Sequence, residues 1–399
     1  MSGDIGRRGI KADNSFRIVS AVNVGSDTIV DGFTVTGSYN ERASFDGAGG
    51  GLYHTDGAAR FRNCTIISNF ANSGGGLWND RGTPMLLGCS FVGNAQAGAL
   101  SYTGQCTFVN CVFRNNASLG SGGGYLGGTR IQNPVFVGCT FFDNRSDAWG
   151  GAYYGIGDPL FDTCLFIGNY ADNSAGAVYL RDGAGRVINC AFFGNEARLI
   201  TGGLATGSVT IDPVLKNCVF WGNRSEGGSL ERKQLWLHDG TIDYSCVQGW
   251  TGEYGGVGNH GFDPRFVDFE GGDYRLTDGS PCIDAGDNGV VTEPFDLDGN
   301  PRILTDVVDM GPYESVCNDV QRLKTRCHGD KPGEGKLIAK LRTTLPCGST
   351  VRLRCDGGDP VRAAIRPNGR GKATWKGQGG RVEVCVSGCP ASCSAAECP

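Results

Sequence analysis

The sequence predicts an all-β protein: a right-handed parallel β-helix with about 25 residues per coil, followed by a small Cys-rich antiparallel β-sandwich. Three observations lead to this prediction. The 399 residues include 67 Gly and 15 Pro, a composition that is unfavourable for helices. Cysteines recur at intervals of 22 to 28 residues through most of the chain. Each interval contains three short β-type segments separated by Gly, Asn or Pro.

The repeat is visible in seven copies of one motif, in which Asn follows Cys by five residues. An eighth cysteine, Cys246, falls at the next interval. Each repeat also carries a step of two small residues into an apolar one, as in Gly75-Gly76-Leu77. A helical alternative fails because the apolar residues alternate with period two and because Gly-Gly and Pro breaks are frequent. The seven copies begin at Cys64, Cys89, Cys111, Cys139, Cys164, Cys190 and Cys218.

Stacking of equivalent positions predicts ladders of side chains inside the coils. Because side chains alternate along a strand, each Cys and the residue two positions later should point inward. The Asn residues should bond to the neighbouring coils, ~4.8 Å away. The cysteines are interpreted as small buried hydrophobic residues, since metal ligands converge on a point whereas these thiols are spaced one coil apart. A metal or redox role is the alternative. The second inward ladder consists of Ile66, Phe91, Phe113, Phe141, Phe166, Phe192 and Phe220.

Charge and cysteine content indicate where the protein acts. Residues 316–399 hold 15 Lys/Arg and 7 Asp/Glu, so this part carries +8 and the rest carries −13 of the net −5. The acidic body argues against nucleic acid as a partner. No run of 18 apolar residues occurs, so no membrane span is expected. Eighteen Cys, eight of them in the last 84 residues, are typical of exported proteins. An export signal is not visible in the first residues, which predicts either a truncated start or a protein that is not exported.

Two stretches resemble known families of surface proteins. The pattern Phe-x-x-Asn followed by a Gly-Gly-apolar step, over about residues 30 to 246, resembles the repeats of polymorphic outer-membrane proteins. The segments Phe262-Asp-Pro-Arg-Phe-Val-Asp268, Gly279-Ser-Pro-Cys-Ile-Asp-Ala-Gly-Asp287 and Asp309-Met-Gly-Pro-Tyr-Glu314 resemble the closing region of bacterial "choice-of-anchor" β-helix proteins. These resemblances imply a pectin-lyase-like solenoid and a role in surface anchoring. We therefore expect repeats over 1–246, a closing segment over 247–315 and a separate domain over 316–399.

The last domain alternates apolar with basic or polar residues between glycine turns, which predicts a small antiparallel sandwich. Its eight cysteines can form four disulfides with 105 possible pairings. Zinc is the alternative for these cysteines, although only His328 lies nearby in the sequence.

Aromatic residues supply the candidate binding site. In each coil, the residue after the Gly-Gly-apolar step should point outward, because side chains alternate. Ser101, Leu126 and Ala205 should interrupt this outer row. Aromatic faces spaced by whole coils can stack on the rings of an extended glycan, and the alternative is ordinary surface aromatics that favour strands. If they bind glycan, alanine at Trp78 or Tyr154 should weaken retention without lowering the melting temperature. The candidate residues are Tyr53, Trp78, Tyr154, Tyr179 and Trp236.

Asp296, Asp298 and Asn300 have the spacing of the start of a calcium loop. Pro301 stands where such a loop needs Gly, and Val307 stands where it needs Glu. Turn chemistry explains Asp-Gly-Asn without a metal. We therefore expect no cofactor, with calcium as the alternative.

The outward positions of the cysteine-led strands bear on catalysis. They are mostly apolar and carry no carboxylate, whereas a polysaccharide lyase or glycoside hydrolase needs paired acids on one outer face. Such an apolar face should be covered by a loop or a partner. The sequence thus favours a secreted or cell-surface, non-enzymatic adhesive or structural protein that binds an extracellular polysaccharide or a cell-envelope component. A carbohydrate-active enzyme on the same scaffold is the alternative.

Overall fold

The computed structural model describes residues 1–315 except 6, 8, 9, 43, 129–131, 208–212, 278, 305 and 306. Beyond residue 315 it describes seven strands. The chain divides into two compact units. One unit contains Met1–Pro264 with Pro281–Tyr313, and the other contains Arg265–Ser280 with Glu314–Pro399. Within the described part, no helix has the length and apolar character needed to cross a membrane.

The first unit is a parallel β-helix built from three sheets of nine strands each, as the sequence predicts. Every strand pairs in parallel with the equivalent strands of the coils before and after it, so that consecutive strands of the chain lie in different sheets. Gly, Asn and Pro end each strand after a few residues, because they fit the turns that the chain makes between sheets.

The strand bounds follow the repeat. The first sheet contains Val19–Val22, Leu52–Thr55, Leu77–Asp80, Ala99–Ser101, Tyr125–Gly127, Tyr153–Ile156, Val178–Asp182, Leu204–Thr206 and Leu235–Trp236. The second sheet contains Ile29–Asp31, Arg60–Arg62, Met85–Leu87, Thr107–Val109, Val135–Val137, Leu160–Asp162, Arg186–Ile188, Val214–Lys216 and Thr241–Asp243. The third sheet contains Thr34–Thr36, Thr65–Ile67, Ser90–Val92, Val112–Arg114, Thr140–Phe142, Leu165–Ile167, Ala191–Phe193, Val219–Trp221 and Cys246–Val247.

Short elements complete the coils. A minor four-stranded sheet contains Ala117–Ser118, Arg145–Ser146, Tyr170–Ala171 and Glu196–Ala197, and a two-stranded one contains Tyr39–Asn40 and Phe70–Ala71. One α-helix, Leu230–Gln234, is capped by the Ser229 side chain, which accepts a hydrogen bond from the Arg232 N–H. The 3₁₀ helices are Lys11–Asp13, Ser44–Gly47 and Asn288–Val290.

The interior contains the ladders that the sequence predicts. The phenylalanine rings lie parallel to their neighbours; Phe192 and Phe220, for example, have centroids 4.4 Å apart. The seven cysteines that begin the repeated motif are buried, and Cys164 Sγ donates to the carbonyl of Phe136 one coil earlier. Burial raises the pKa of the Cys164 thiol. These thiols therefore serve as small interior side chains, in agreement with the prediction.

The turn between the second and third sheets explains a second sequence preference. Its first residue adopts the left-handed conformation, with φ of 49° at Asn63, 60° at Gly88 and 53° at Asn110. Asn and Gly tolerate this conformation better than other residues. The turn therefore selects Asn or Gly just before the cysteine in most coils.

The described residues of 281–313 lie along the outer face of the third sheet, and they confirm that a loop covers this apolar face. Asp287 N–H donates to Asn217 Oδ1 at 2.7 Å, and Thr292 Oγ1 donates to Asp162 Oδ2 at 2.7 Å. Beneath the segment, Val219 is 1% exposed. The hairpin Phe266–Asp268 with Asp273–Leu276 belongs to the second unit.

The second unit is antiparallel, as predicted. One sheet contains Val320–His328, Gly335–Thr343 and Arg370–Gln378. The other has the order Val361–Ala364, Thr350–Cys355, Gly380–Val386 and Cys389–Cys398. The predicted disulfides of this domain, and the zinc alternative with His328, concern side chains that lie outside the described residues.

Candidate functional site

The outer face of the first sheet carries a continuous row of side chains, one from each coil. Leu52, Leu77, Tyr153 and Val178 are fully or almost fully buried in the interior, so the residues that follow them point outward. The strand register aligns Tyr53 with Trp78 and Tyr154 with Tyr179, as the sequence predicts. The complete row is Ser20, Tyr53, Trp78, Leu100, Leu126, Tyr154, Tyr179, Ala205 and Trp236.

One position of this row differs from the prediction. Ser101 was expected to interrupt the row, but Leu100 pairs with Trp78 and occupies that place. Ser101 pairs with Asn79 and is fully buried. The reason is a shift of one residue: Ala99, not Leu100, is the inward residue of this coil. Since side chains alternate, this shift turns Leu100 outward and Ser101 inward.

Aromatic side chains cover one another along this face. Trp78 stacks on Tyr102, with ring centroids 5.4 Å apart and an interplanar angle of 16°. Tyr154 stacks on Tyr179 at 5.7 Å, and Trp149 lies against both of these tyrosines. As a result Trp78 is only 4% exposed and Tyr154 only 8%. The row is therefore a packed aromatic surface and not a set of isolated rings.

A groove of about 620 Å³ opens in the middle of the face. The indole of Trp78 stands at one end and Tyr154 at the other, with Arg181 donating from Nη1 to the Tyr154 hydroxyl at 2.9 Å. Two of the five predicted residues thus line the groove. The repeat does not predict Tyr102 and Arg181, because neither occupies the repeated position after the Gly-Gly step. The other lining residues are Asn72, Ser73, Leu100, Ser121, Leu126, Gly127 and Gly128.

The remaining predicted residues lie outside this groove. The guanidinium of Arg17 lies over the Tyr53 ring, 3.7 Å from its centroid. Arg232 lies over Trp236 in the same way at 4.8 Å. A cation on an aromatic face occupies the surface that a sugar ring would use. Tyr53 and Trp236 are therefore less suited to stacking on a ligand than the groove residues.

A buried polar network lies directly behind the aromatic face. His54 Nδ1 is 2.8 Å from Asn79 Oδ1, and the Asn79 side-chain amide donates to Ser101 Oγ at 3.0 Å. The N–H of Ala59 donates to His54 Nε2, so the proton of the neutral ring is on Nδ1. Burial lowers the pKa of His54 against the opposing effects of Asn79 and Asp56. This network is closed to solvent, so it supports the sheet and does not contact a ligand.

A second groove, of about 520 Å³, lies between residues 281–313 and the third sheet. Burial, together with the nearby charge of Asp162, raises the pKa of Glu293 on its wall. Asp162 is itself buried, and its carboxylate accepts from Thr163, Asn189 and Thr292. The described lining contains no Lys, Arg or His. The groove thus offers one acid with a raised pKa but no basic partner.

The segment Asp296–Asn300, for which calcium binding is the alternative interpretation, folds as a hydrogen-bonded turn. Asp296 Oδ1 accepts from the N–H of Asp298 at 2.9 Å and of Asn300 at 2.7 Å, and Oδ2 accepts from the Asn300 side chain at 3.2 Å. Asp296 is 6% exposed. Both of its oxygens therefore serve the turn, which favours the interpretation without a metal.

Comparison with known proteins agrees with the architecture. A family model described as a right handed beta helix region matches residues 9–158. No curated protein matches the chain. The matched residues contain the coils that carry Trp78, Tyr102 and Tyr154. Together with the three stacked sheets, this match supports a right-handed parallel β-helix architecture for the first unit.

Proposed function

We propose that the protein is a non-enzymatic, glycan-binding β-helix protein of the cell surface or extracellular space, and that the aromatic groove is its binding site. The observation that carries the proposal is the groove between Trp78 and Tyr154, which combines aromatic walls with polar groups. Sugar rings present apolar faces and polar edges, and aromatic side chains bind the apolar faces. The groove lies along the stacking direction of the coils, so it suits an extended chain.

Polar groups around the groove supply orientation. Arg181 is exposed and fixed by its bond to the Tyr154 hydroxyl, and Asn72, Ser73 and Ser121 offer further donors and acceptors. A few well-placed polar groups on a largely apolar lining are typical of ligand sites. The exposed guanidinium favours a glycan that carries carboxylate or sulfate groups.

Affinity gel electrophoresis against a panel of neutral and acidic polysaccharides tests the proposal. Tyr102→Ala is the most informative variant, because Tyr102 lines the groove but is half-exposed. We expect this variant to lose retention of the polysaccharide that slows the wild-type protein. Tyr53→Ala is the matched control, since its ring lies on the same face outside the groove. Equal retention of wild type and Tyr102→Ala would contradict the proposal.

The secreted or surface location and the adhesive role belong to the same proposal. They are supported by the eight cysteines within the last 84 residues and by the repeated architecture of the coils. Protease treatment of intact producing cells tests the location: the protein should be degraded without lysis. Protection until lysis would place the protein inside the cell and remove extracellular glycans as its partner.

A carbohydrate-active enzyme is the second candidate, and Glu293 is the observation that favours it. A carboxyl group with a raised pKa in a groove is suited to act as a general acid. Reducing-sugar and unsaturated-product assays on the same polysaccharides distinguish the two functions. Turnover by the wild type that Glu293→Gln abolishes would establish the enzyme, whereas binding without turnover supports the first proposal.

A further inference from the structure

The last cysteine of the repeat does not belong to the interior ladder. Cys246 pairs with Val219, and Ser245 takes the place expected for the ladder cysteine. Ser245 is fully buried; its hydroxyl donates to the carbonyl of Asp243, as Cys218 Sγ does to Lys216, and accepts from the Cys218 N–H. Because side chains alternate, Cys246 points to the outer face of the third sheet.

His260 continues the same outer row. The chain after Gly258 returns to the third sheet, where Cys246 and His260 form a parallel bridge. The His260 N–H donates to the Ser245 carbonyl at 3.1 Å, and the His260 carbonyl accepts from the Val247 N–H at 2.9 Å. This pairing places the imidazole beside the Cys246 thiol on the outer face. The ring also stacks on Phe262, with centroids 5.5 Å apart.

Both ring nitrogens of His260 are buried, and neither has a hydrogen-bond partner among the described residues. A neutral imidazole has one donor and one acceptor, and burying both without partners costs free energy. Buried polar atoms without a hydrogen-bond partner indicate that their partner is an atom from outside the protein chain.

The third member of the cluster comes from the covering segment. Cys282 is fully buried, and its carbonyl accepts a hydrogen bond from the Met310 N–H. Cys246 and Cys282 are present as thiols. Their Sγ atoms and a ring nitrogen of His260 all lie within 4.8 Å of one another. Three ligands thus meet from three separate stretches of chain.

We propose that Cys246, His260 and Cys282 bind a divalent metal ion of the zinc type. Two thiolates and an imidazole are the ligands that zinc prefers, and in a tetrahedral site such ligand atoms lie about 3.6 Å apart. A modest contraction of the cluster reaches this geometry. Three protein ligands leave the fourth position of a tetrahedral site for a water molecule.

The ion would hold the end of the β-helix to the segment that covers it. Cys246 belongs to the last strand of the third sheet, His260 to the chain that follows, and Cys282 to residues 281–313. Metal bonds that join distant stretches of chain stabilise the folded state, since the ligands do not form a site when the chain is unfolded. A disulfide between Cys246 and Cys282 would make the same connection but would leave both His260 nitrogens without a partner.

The test is metal analysis of the full chain purified from zinc-containing medium without chelator. Mass spectrometry of zinc per chain is compared between the wild type and Cys246→Ser, His260→Gln and Cys282→Ser. We expect each variant to contain one equivalent less than the wild type. Cobalt replacing zinc should give a thiolate charge-transfer absorption band in the wild type that is weaker in each variant. The comparison with the wild type removes any contribution from the cysteines after residue 316.

The controls are Cys218→Ser, a ladder cysteine one coil away, and His238→Gln, an exposed histidine. Both should keep the wild-type zinc content. His260→Gln leaves both cysteines in place, and a chelator should lower the melting temperature of the wild type but not of this variant. Equal zinc content in the wild type and the three site variants would overturn the proposal. So would a Cys246–Cys282 disulfide found by peptide mapping under non-reducing conditions.

Discussion

Asn169 Oδ1 accepts two hydrogen bonds from Asn144 one coil earlier, from the backbone N–H at 3.0 Å and from the side-chain amide at 2.9 Å. The Asn169 amide in turn donates to the carbonyl of Phe141 and to Asn195 Oδ1. The same arrangement links every coil from Asn69 to Asn223, where Gln234 from the short helix accepts the last two bonds. The ladder therefore connects the coils through side chains as well as through strands.

Replacing one member of this ladder should destabilise the β-helix strongly. Asn169→Ala leaves the two donors of Asn144 without an acceptor in the interior. Unsatisfied buried groups of this kind predict a loss of about 3 kcal/mol in the free energy of unfolding. Chemical denaturation measures it. Asn173→Ala is the control, because Asn173 is half-exposed and its described hydrogen bonds use the backbone; an equal loss in both variants would contradict the role of the ladder.

The sequence predicts repeated features well and single shifts poorly. The cysteine, phenylalanine and asparagine ladders could be predicted because each position recurs in seven coils. The directions of the Ser101 and Cys246 side chains could not be predicted from the repeat. A shift of one residue within a single coil turns a side chain to the opposite face of the sheet, although the spacing of the motif hardly changes. The grooves and the cysteine–histidine cluster depend on residues outside the repeat, such as Tyr102 and Cys282. Their packing is set by the folded chain and leaves no periodic signal.

Trp78→Ala should reduce stability as well as binding, which differs from the expectation drawn from the sequence. Trp78 is 4% exposed and packs on Leu100, Ala48 and Tyr102. Truncation of a buried aromatic side chain predicts a loss of about 3 kcal/mol in the free energy of unfolding. Thermal and denaturant unfolding measure this effect. Trp236 is half-exposed, so Trp236→Ala should lose less stability than Trp78→Ala. An unchanged melting temperature for Trp78→Ala would show that the packed arrangement is wrong.

Stability should fall on mild acidification because of His54. Burial lowers the pKa of His54 in the folded state, so the unfolded chain binds a proton more readily. The stability that the neutral His54 ring contributes is fully present above the pKa of histidine in the unfolded chain, about 6.5. It is lost as the pH falls below that value. Protonation also removes the acceptor used by the Ala59 N–H. Urea unfolding between pH 7.5 and 5 should show this slope in the wild type and in His238→Gln, but a smaller one in His54→Gln.

The covering segment should depend on Asp287. Its carboxylate accepts from Lys216 Nζ at 3.1 Å and from the Gly289 N–H at 2.8 Å. The hydrogen bond from the Gly289 N–H has the largest effect in lowering the pKa of the Asp287 carboxyl, and the hydrogen bond from Lys216 comes second. The stability that the ionised carboxylate contributes is therefore present at neutral pH and is lost as the pH falls through the acid range. Asp287→Ala should increase hydrogen exchange in residues 281–313 and over Val219, with little change near Phe91. Asp239→Ala, an exposed acid, should leave exchange of the segment unchanged.

Calcium should not stabilise the protein, because the Asp296 loop already uses its carboxylate internally. The oxygens of Asp296 accept three hydrogen bonds from Asp298 and Asn300, and a cation would have to replace them. Millimolar calcium should therefore leave the melting temperature unchanged. Asp296→Ala should lower it equally with and without calcium, since the turn loses its acceptors in either case. A calcium-dependent rise in the wild type that Asp298→Asn abolishes would instead support a calcium site at this loop, because that substitution removes a ligand charge but keeps the backbone N–H that the turn requires.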